Sequence, residues 1–205
     1  RSTQAKTLFP YTTLFRSKFF RPGREDGPID ERDFDFYPTP TSVACRMVEL
    51  GEAEDNFERK LEILEPSAGD GAIGGQTYFH DHLTAVEFNH HRAIALKEKF
   101  PNWTVIEADF LHWETEMEFD RVLMNPPFNM RLEAMHLVKA FSHLKPGGIL
   151  VAIMPEGWFF RDDAKAVILR EFMSRYEHKP SEKLDDDTFK GTRIKTRIVT
   201  LKKPE

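Results

Sequence analysis

From position 40 onward, short continuous apolar runs alternate with stretches in which apolar residues recur every three or four positions. The runs at 61–65, 83–88, 104–108, 119–124 and 149–154 have the length and composition of strands, and the spaced patterns have the period of amphipathic helices. One helix starts near Thr39 or Thr41 and carries Val43, Met47 and Leu50 on one face, with Gly51 as its stop. Others cover 92–100, where Ala93, Leu96 and Phe100 align, the segment holding Leu132, Met135, Val138 and Phe141, and 162–176. Pro126 and Pro127 end the run at 119–124, because proline neither donates to a ladder nor continues a helix. Lys145-Pro146-Gly147-Gly148 ends a helix and turns into the run at 149–154, whose unbroken apolar character suits the centre of a parallel sheet. A strand over 193–201, partnered by 182–189, closes the pattern. Strands alternating with helices predict an α/β chain, a parallel sheet covered on both faces.

The chain has 205 residues, 40% hydrophobic and 31% charged, a size and balance that fit one domain. No apolar run approaches the roughly 20 residues needed to span a bilayer, so neither membrane insertion nor a secretory signal is expected. Cys45 is the only cysteine, which excludes an intramolecular disulfide and suits a reducing, cytoplasmic setting. A formal net charge of −5 gives no general attraction to polyanions, so a basic face must be local. Basic residues do concentrate near the end of the chain: Lys183, Lys190, Arg193, Lys195, Arg197, Lys202 and Lys203. The first residues read differently. Thr7 to Ser17, TLFPYTTLFRS, resembles the in-frame translation of a short-read sequencing adapter, so 1–17 is set apart from the fold. Residues 18–35, charged and rich in Gly and Pro, read as a lead-in loop, and the folded domain is expected over 36–205.

Glu65-Pro66-Ser67-Ala68-Gly69-Asp70-Gly71-Ala72-Ile73-Gly74 leaves the first strand and is expected to open a helix. Its glycines fit a G-x-G-x-x-G template, in which the backbone turns tightly and approaches a ligand with no β-carbon in the way. That template is shared with dinucleotide sites, so a dehydrogenase remains a rival at this point. Glu87, at the end of the second strand, is placed to accept both ribose hydroxyls of an adenosine cofactor. Asp109 ends the third strand and can accept from an adenine amino group, while Phe110 offers the ring an apolar face. Three acids at successive strand ends define a site, because open α/β sheets bind ligands beyond the carboxyl ends of their strands.

Asn125-Pro126-Pro127-Phe128 follows the fourth strand at the same edge. An amino group on an aromatic base is a poor nucleophile because its lone pair is delocalised into the ring. Accepting its two hydrogens in fixed geometry draws the nitrogen toward tetrahedral and frees the lone pair. The Asn125 side-chain oxygen and the Pro126 carbonyl supply two acceptors, the prolines stiffen the loop, and Phe128 can stack on the target ring. No strong base is required.

With these motifs in this order, the chain resembles the S-adenosyl-L-methionine-dependent amino-methyltransferases of the DNA adenine-N6 type, from about Phe36 to Leu201. It is similar in particular to a compact, phage-associated subgroup with Lys-Pro-Gly-Gly before the fifth strand and a Phe-Lys-Gly-Thr turn near the end. The resemblance implies a Rossmann-like class I fold with a mostly parallel seven-stranded sheet and an antiparallel last strand. It implies S-adenosyl-L-methionine as cofactor, direct in-line transfer to the N6 amine of adenine in DNA, and Asn125, Pro126, Pro127 and Phe128 as the catalytic loop. Cofactor contacts are then expected from Tyr37, Thr39, Glu65, Pro66, Ala68, Gly69, Gly71, Glu87, Asp109 and Phe110, with Tyr37 to Pro40 over the methionine part. Trp158 and Phe159, with Phe160, follow the fifth strand and line a candidate base pocket, and Lys190 and Arg193 are candidate substrate contacts. The chain departs from sequence-reading enzymes of this type in having no long insertion or second domain, so a separate specificity partner, or a single-stranded or opened substrate, is expected.

The same loop would hold an adenine or guanine amine in RNA, or a protein glutamine carboxamide. An accessory, weakly catalytic subunit is a further alternative, against which the intact Asn125 loop argues. His80-Asp81-His82 and His90-His91 are adjacent or alternating positions that rarely converge on an ion, Asp185-Asp186-Asp187 reads as a solvated turn, and no metal is expected. Cys45 reads as a small core residue.

Overall fold

The computed structural model describes residues 36–53, 59–77, 82–128, 132–189 and 192–205. The expectations for 1–35, and those for His80, Asp81 and Lys190, lie outside these residues.

In chain order the elements are α1 (Thr41–Leu50), β1 (Glu62–Pro66), β2 (His82–Glu87), α2 (His90–Lys99), β3 (Thr104–Glu107), β4 (Phe119–Met124), α3 (Glu133–Ser142), β5 (Leu144–Pro155), α4 (Gly157–Phe160), α5 (Ala164–Tyr176), β6 (Glu177–Lys183) and β7 (Thr196–Lys202). The strands form a seven-stranded sheet in the order β3-β2-β1-β4-β5-β7-β6. β1 to β5 run parallel, and β7 is antiparallel to both β5 and β6. This is the Rossmann-like sheet that the sequence leads one to expect. Strand order reverses on either side of β1, which opens a crevice beyond the carboxyl ends of β1 and β4.

Successive strand residues point to opposite faces, and the apolar pairs along the central strands serve two cores. Ile63, Ala85, Leu123 and Val151 pack with Val43, Met47 and Leu50 of α1 and Leu96 of α2. Their neighbours Leu64, Val86, Val122 and Leu150 pack on the other face with Leu137 and Phe141 of α3 and Leu169 and Phe172 of α5. Each fully buried side chain of this size contributes about 1.5–3 kcal/mol of transfer free energy, so a continuous apolar run is what a strand buried on both faces requires. Among the described residues, no helix is long and apolar enough to cross a membrane.

Four local expectations are corrected. The glycine loop does not open an α-helix among the described residues; it gives one 3-10 turn, Gly74–Gln76, as the low helix propensity of adjacent glycines favours. Lys145 to Gly148 belong to β5 rather than to a turn before it, because Gly147 N–H donates to the Lys203 carbonyl at 3.0 Å and Lys203 N–H to the Gly148 carbonyl at 2.9 Å. The partner of β7 is β6 at Glu177–Lys183, which meets the expected 182–189 only at Glu182 and Lys183, opposite Ile198 and Arg197. It lies at the sheet edge and pairs on one side only, so its polar sequence needs no apolar face. Cys45 is exposed, 3.5 Å from Gln76 Oε1, since α1 buries Val43, Ala44, Met47, Val48 and Leu50 and turns Cys45 outward.

Candidate active site

β1, β2, β3 and β4 end side by side, and each delivers a polar side chain or loop to one cleft. It is lined by Tyr37, Thr39, Glu65, Ala68, Gly69, Glu87, Asp109, Phe110 and Asn125 to Phe128, together with Phe36, Arg92 and His136. Most of the residues anticipated from sequence thus meet here. The first glycine of the loop, Gly69, has φ +60°, and a β-carbon there would lie 2.5 Å from the Phe36 ring. Gly71 and Pro66 stand outside the lining. Gly71 has φ +75°, and a β-carbon there would lie 2.6 Å from the Phe100 ring and 2.9 Å from Leu96 of α2, so packing of the loop on this helix by itself requires glycine.

Glu87 is buried and organises the loop. Its Oε2 accepts the Gly69 N–H at 2.7 Å, and its Oε1 accepts the Asn89 N–H at 2.8 Å and Arg92 Nε at 3.0 Å. Arg92 Nη2 lies 3.0 Å from the same Oε1, so a hydroxyl that pairs with this carboxylate competes with Arg92 for its acceptor sites. The Arg92 guanidinium also lies 4.9 Å over the Phe36 ring. Phe36 and Arg92 are both part of the cleft lining, and its free volume is about 70 Å³.

Glu65 is buried behind the loop and its Oε2 accepts the Gly74 N–H at 3.0 Å. Burial pushes its carboxyl up to about 8, against the opposing pull of that N–H, with Asp70 and Glu87 adding to the rise. Asp109 accepts the Leu111 N–H at 2.9 Å and bonds His112 Nδ1 at 2.5 Å. His136 had no sequence signal; burial pushes it down to about 4, so it is a neutral imidazole whose Nδ1 donates to the Leu132 carbonyl at 3.0 Å. Its ring lies 5.6 Å from that of Phe110.

Asn125 is clamped at one end. Its Nδ2 donates to the Tyr37 carbonyl at 3.3 Å and to Thr39 Oγ1 at 3.1 Å. A carbonyl only accepts, so this contact decides which end of the amide is nitrogen. The other end, Oδ1, is buried with no hydrogen-bond partner among the described residues. An unpaired buried acceptor costs about 1–3 kcal/mol, and at a cleft wall it is a site waiting for a donor. Phe128 stacks on Tyr37 at 6.3 Å and meets Phe189 edge-on at 6.1 Å.

Phe128 also borders a second cavity of about 490 Å³, lined by Glu133, Pro155, Glu156, Gly157, Trp158, Phe160, Arg161, Ile194 and Lys195. The aromatic residues after β5 divide their tasks here. Trp158 is 1% exposed and its Nε1 donates to Glu133 at 2.7 Å, a packing position at the cavity floor. Phe159 lies beneath the Arg197 guanidinium at 4.5 Å and does not reach the cavity. Phe160, 70% exposed, stands at its rim. Arg193 is exposed and outside the lining, which takes Ile194 and Lys195 instead. The α4 turn that presents Phe160, and the burial of Phe189, depend on tertiary contacts that a local pattern does not encode.

The cleft therefore combines acceptors for hydroxyl and amine donors, negative charge suited to a cationic ligand, and, among the described residues, a buried acceptor without a partner on Asn125, in the same lining as the Phe128 ring. The family model of the methyltransferase small domain matches residues 55–178, more than half of the chain. A type II methyltransferase of Thermus thermophilus, M.TthHB8I, is 26% identical over 196 residues, 80% of this chain and 44% of that protein; the chain thus spans less than half the length of this relative. Among solved structures, the methyltransferase subunit of a type I restriction-modification system from Streptococcus thermophilus superposes with TM-score 0.69 at 18% identity, covering 84% of this chain and 45% of that one. An RNA methyltransferase from Pyrococcus horikoshii superposes with TM-score 0.63 at 18% identity, covering 88% and 92%.

Proposed function

The chain belongs to the methyltransferase small domain family, and from that premise we propose that it methylates the N6 amine of adenine in DNA. The family and its fold imply S-adenosyl-L-methionine as cofactor, which when bound supplies an electrophilic methyl group on a positively charged sulfur. The cleft suits such a ligand: Glu65, Glu87 and Asp109 end adjacent strands; the Glu87 and Asp109 carboxylates accept from ribose and adenine, and the Glu65 carboxyl, raised to about 8 by burial, ionises more readily beside a cation.

The observation that carries the proposal is the Asn125 amide, held by its nitrogen with Oδ1 buried and unpartnered. That oxygen takes one hydrogen of the incoming amine, and the Pro126 carbonyl takes the second, which localises the nitrogen lone pair. Phe128 lies between the cofactor cleft and the cavity of about 490 Å³, so a base stacked on it enters from the side opposite the cofactor. That volume is ample for a planar base, which must leave a duplex stack to reach Asn125. DNA as the polymer is supported by the likeness of the Asn125 loop to the adenine-N6 enzymes and of the chain to a type II methyltransferase. With a net charge of −5, attraction to nucleic acid is weak, and a separate chain that reads sequence is part of the proposal.

The test is methyl transfer from labelled S-adenosyl-L-methionine to DNA, RNA and protein pools, followed by nucleoside and amino-acid analysis. N6-methyladenine in DNA is the expected product. Label confined to RNA bases or to methylglutamine would overturn the acceptor while leaving the amine-holding role of Asn125 in place.

A further inference from the structure

We propose that Thr39 is a positioning residue for the methyl-transfer step, setting the orientation of Asn125, and that its main contribution is to turnover rather than to cofactor affinity. The inference deepens the reading above and rests on it for the role of Asn125. An asparagine amide rotates over a broad, roughly two-fold torsional profile at χ2, so the side chain by itself does not choose which end faces the cleft. The choice is made by the Tyr37 carbonyl, which only accepts, and the amide is then held in place by two acceptors at its nitrogen end. The Tyr37 carbonyl contributes one at 3.3 Å and Thr39 Oγ1 the shorter one at 3.1 Å. Thr39 is itself buried, so its hydroxyl is not replaced readily by water. The residue sits two positions ahead of the start of α1, separated from it by Pro40, and α1 packs against the sheet through Val43, Met47 and Val48; the hydroxyl is thus mounted beside a fixed element. Rotating the amide would bring Oδ1 against the Tyr37 carbonyl, two acceptors face to face, which excludes that state; the Thr39 hydroxyl, able to donate or accept, holds the amide in the orientation so chosen.

The consequence separates Thr39 from a residue that merely touches the cofactor. Loss of the hydroxyl leaves the glycine loop, Glu65, Glu87 and Asp109 as they are, but loosens the acceptor that must meet the amine. Misplacement of a reacting group by about 1 Å costs on the order of 100-fold in rate.

The experiment compares the parent, Thr39→Val, Thr39→Ala and Thr39→Ser in the full chain, with kcat and the cofactor KM measured separately on whichever pool accepts the methyl group. Thr39→Val should lower kcat by on the order of 100-fold and change the cofactor KM by less than about threefold, and Thr39→Ser should restore most of the rate. Thr39→Ala serves the same comparison if the valine variant does not fold. Parental kcat in both hydroxyl-free variants, a loss confined to cofactor KM, or a serine variant as slow as valine would each overturn the proposal. If the acceptor proves not to be DNA, the proposed substrate fails, and the kcat comparison on the true acceptor still decides Thr39. If no pool is methylated, hydrogen-exchange protection of the Asn125 side-chain amide by NMR decides it: protection lost in Thr39→Val supports the role, and unchanged protection overturns it.

Discussion

Glu87 accepts the backbone N–H of Gly69 at 2.7 Å, so the carboxylate that ends β2 also fixes the loop that follows β1. Two adjacent strands are thereby tied at their carboxyl ends, where the cofactor is proposed to bind. Glu87→Gln removes the negative charge and substitutes an amide nitrogen for one of the oxygens that now receive Gly69, Asn89 and Arg92. Cofactor affinity should fall at least about tenfold, the loss of one charged hydrogen bond of about 1.5–3 kcal/mol. Calorimetric titration measures it, and an unaltered Kd would remove Glu87 from the cofactor site.

Asn125→Ala should leave cofactor affinity within about threefold and reduce single-turnover methyl transfer by about 100- to 1000-fold, the range seen when one preorganised polar group is withdrawn from a developing charge. A variant that turns over at the parental rate would end the proposed mechanism.

Burial holds the Glu65 carboxyl up at about 8, so it carries its proton at pH 7 in the free protein. A cation bound beside it favours the ionised form and lowers that pKa. Cofactor binding at pH 7 should therefore release a proton. Titrations in buffers of different ionisation enthalpy measure the release, and Glu65→Gln should abolish it. Proton uptake in the parent protein would contradict the placement of positive charge near Glu65.

The same group shapes stability. Between its ordinary value of 4.5 and about 8, folded Glu65 holds a proton that the unfolded chain has given up, so stability falls as pH rises through that window. His136 and His143 run the other way. Burial pushes both down from 6.5 to about 4, so the unfolded chain binds more protons there and stability is lost as pH falls from 6.5 to 4. Asp120, held below its ordinary value by Lys145, the Glu62 N–H and Arg59 against the effect of burial, adds to the acid loss. Two histidines outweigh one carboxyl below 6.5 and only the carboxyl acts above it, so Tm should peak near pH 6.5. Glu65→Gln should flatten the alkaline side; a Tm still rising from pH 6.5 to 8 in the parent would refute the assignment.

Trp158→Phe withdraws the indole N–H that reaches Glu133 at 2.7 Å. Both residues are buried, and loss of a donor from a buried carboxylate should cost about 1–3 kcal/mol. Urea denaturation reads this as a lower midpoint at constant slope, and an unchanged midpoint would show that the bond contributes nothing.

Periodicity placed β4 to the residue at Phe119–Met124 and located most other elements within a few positions, because a strand buried on two faces must be apolar throughout and a helix covering it must repeat every third or fourth residue. The exceptions have a common origin. β6 is an edge strand with a polar sequence, recognisable only by its pairing with β7. The glycine template likewise grouped Gly69 and Gly71 as cofactor contacts, whereas the packing of Gly71 against Phe100 and Leu96 is not visible in it.

The amino-acid sequence by itself determined the alternating α/β pattern, the order of the glycine loop, the strand-end acids and the Asn125 loop, since each is a local property of a short segment. Tertiary structure alone decided how those groups are partnered. Thr39 and Asn125 are 86 positions apart, and His136, Arg92 and Phe36 reach the cleft from three separate segments. Hydrogen bonds and ring contacts form wherever the sheet order brings side chains within a few ångströms, and that order is fixed by burial of the whole chain, which no single segment records.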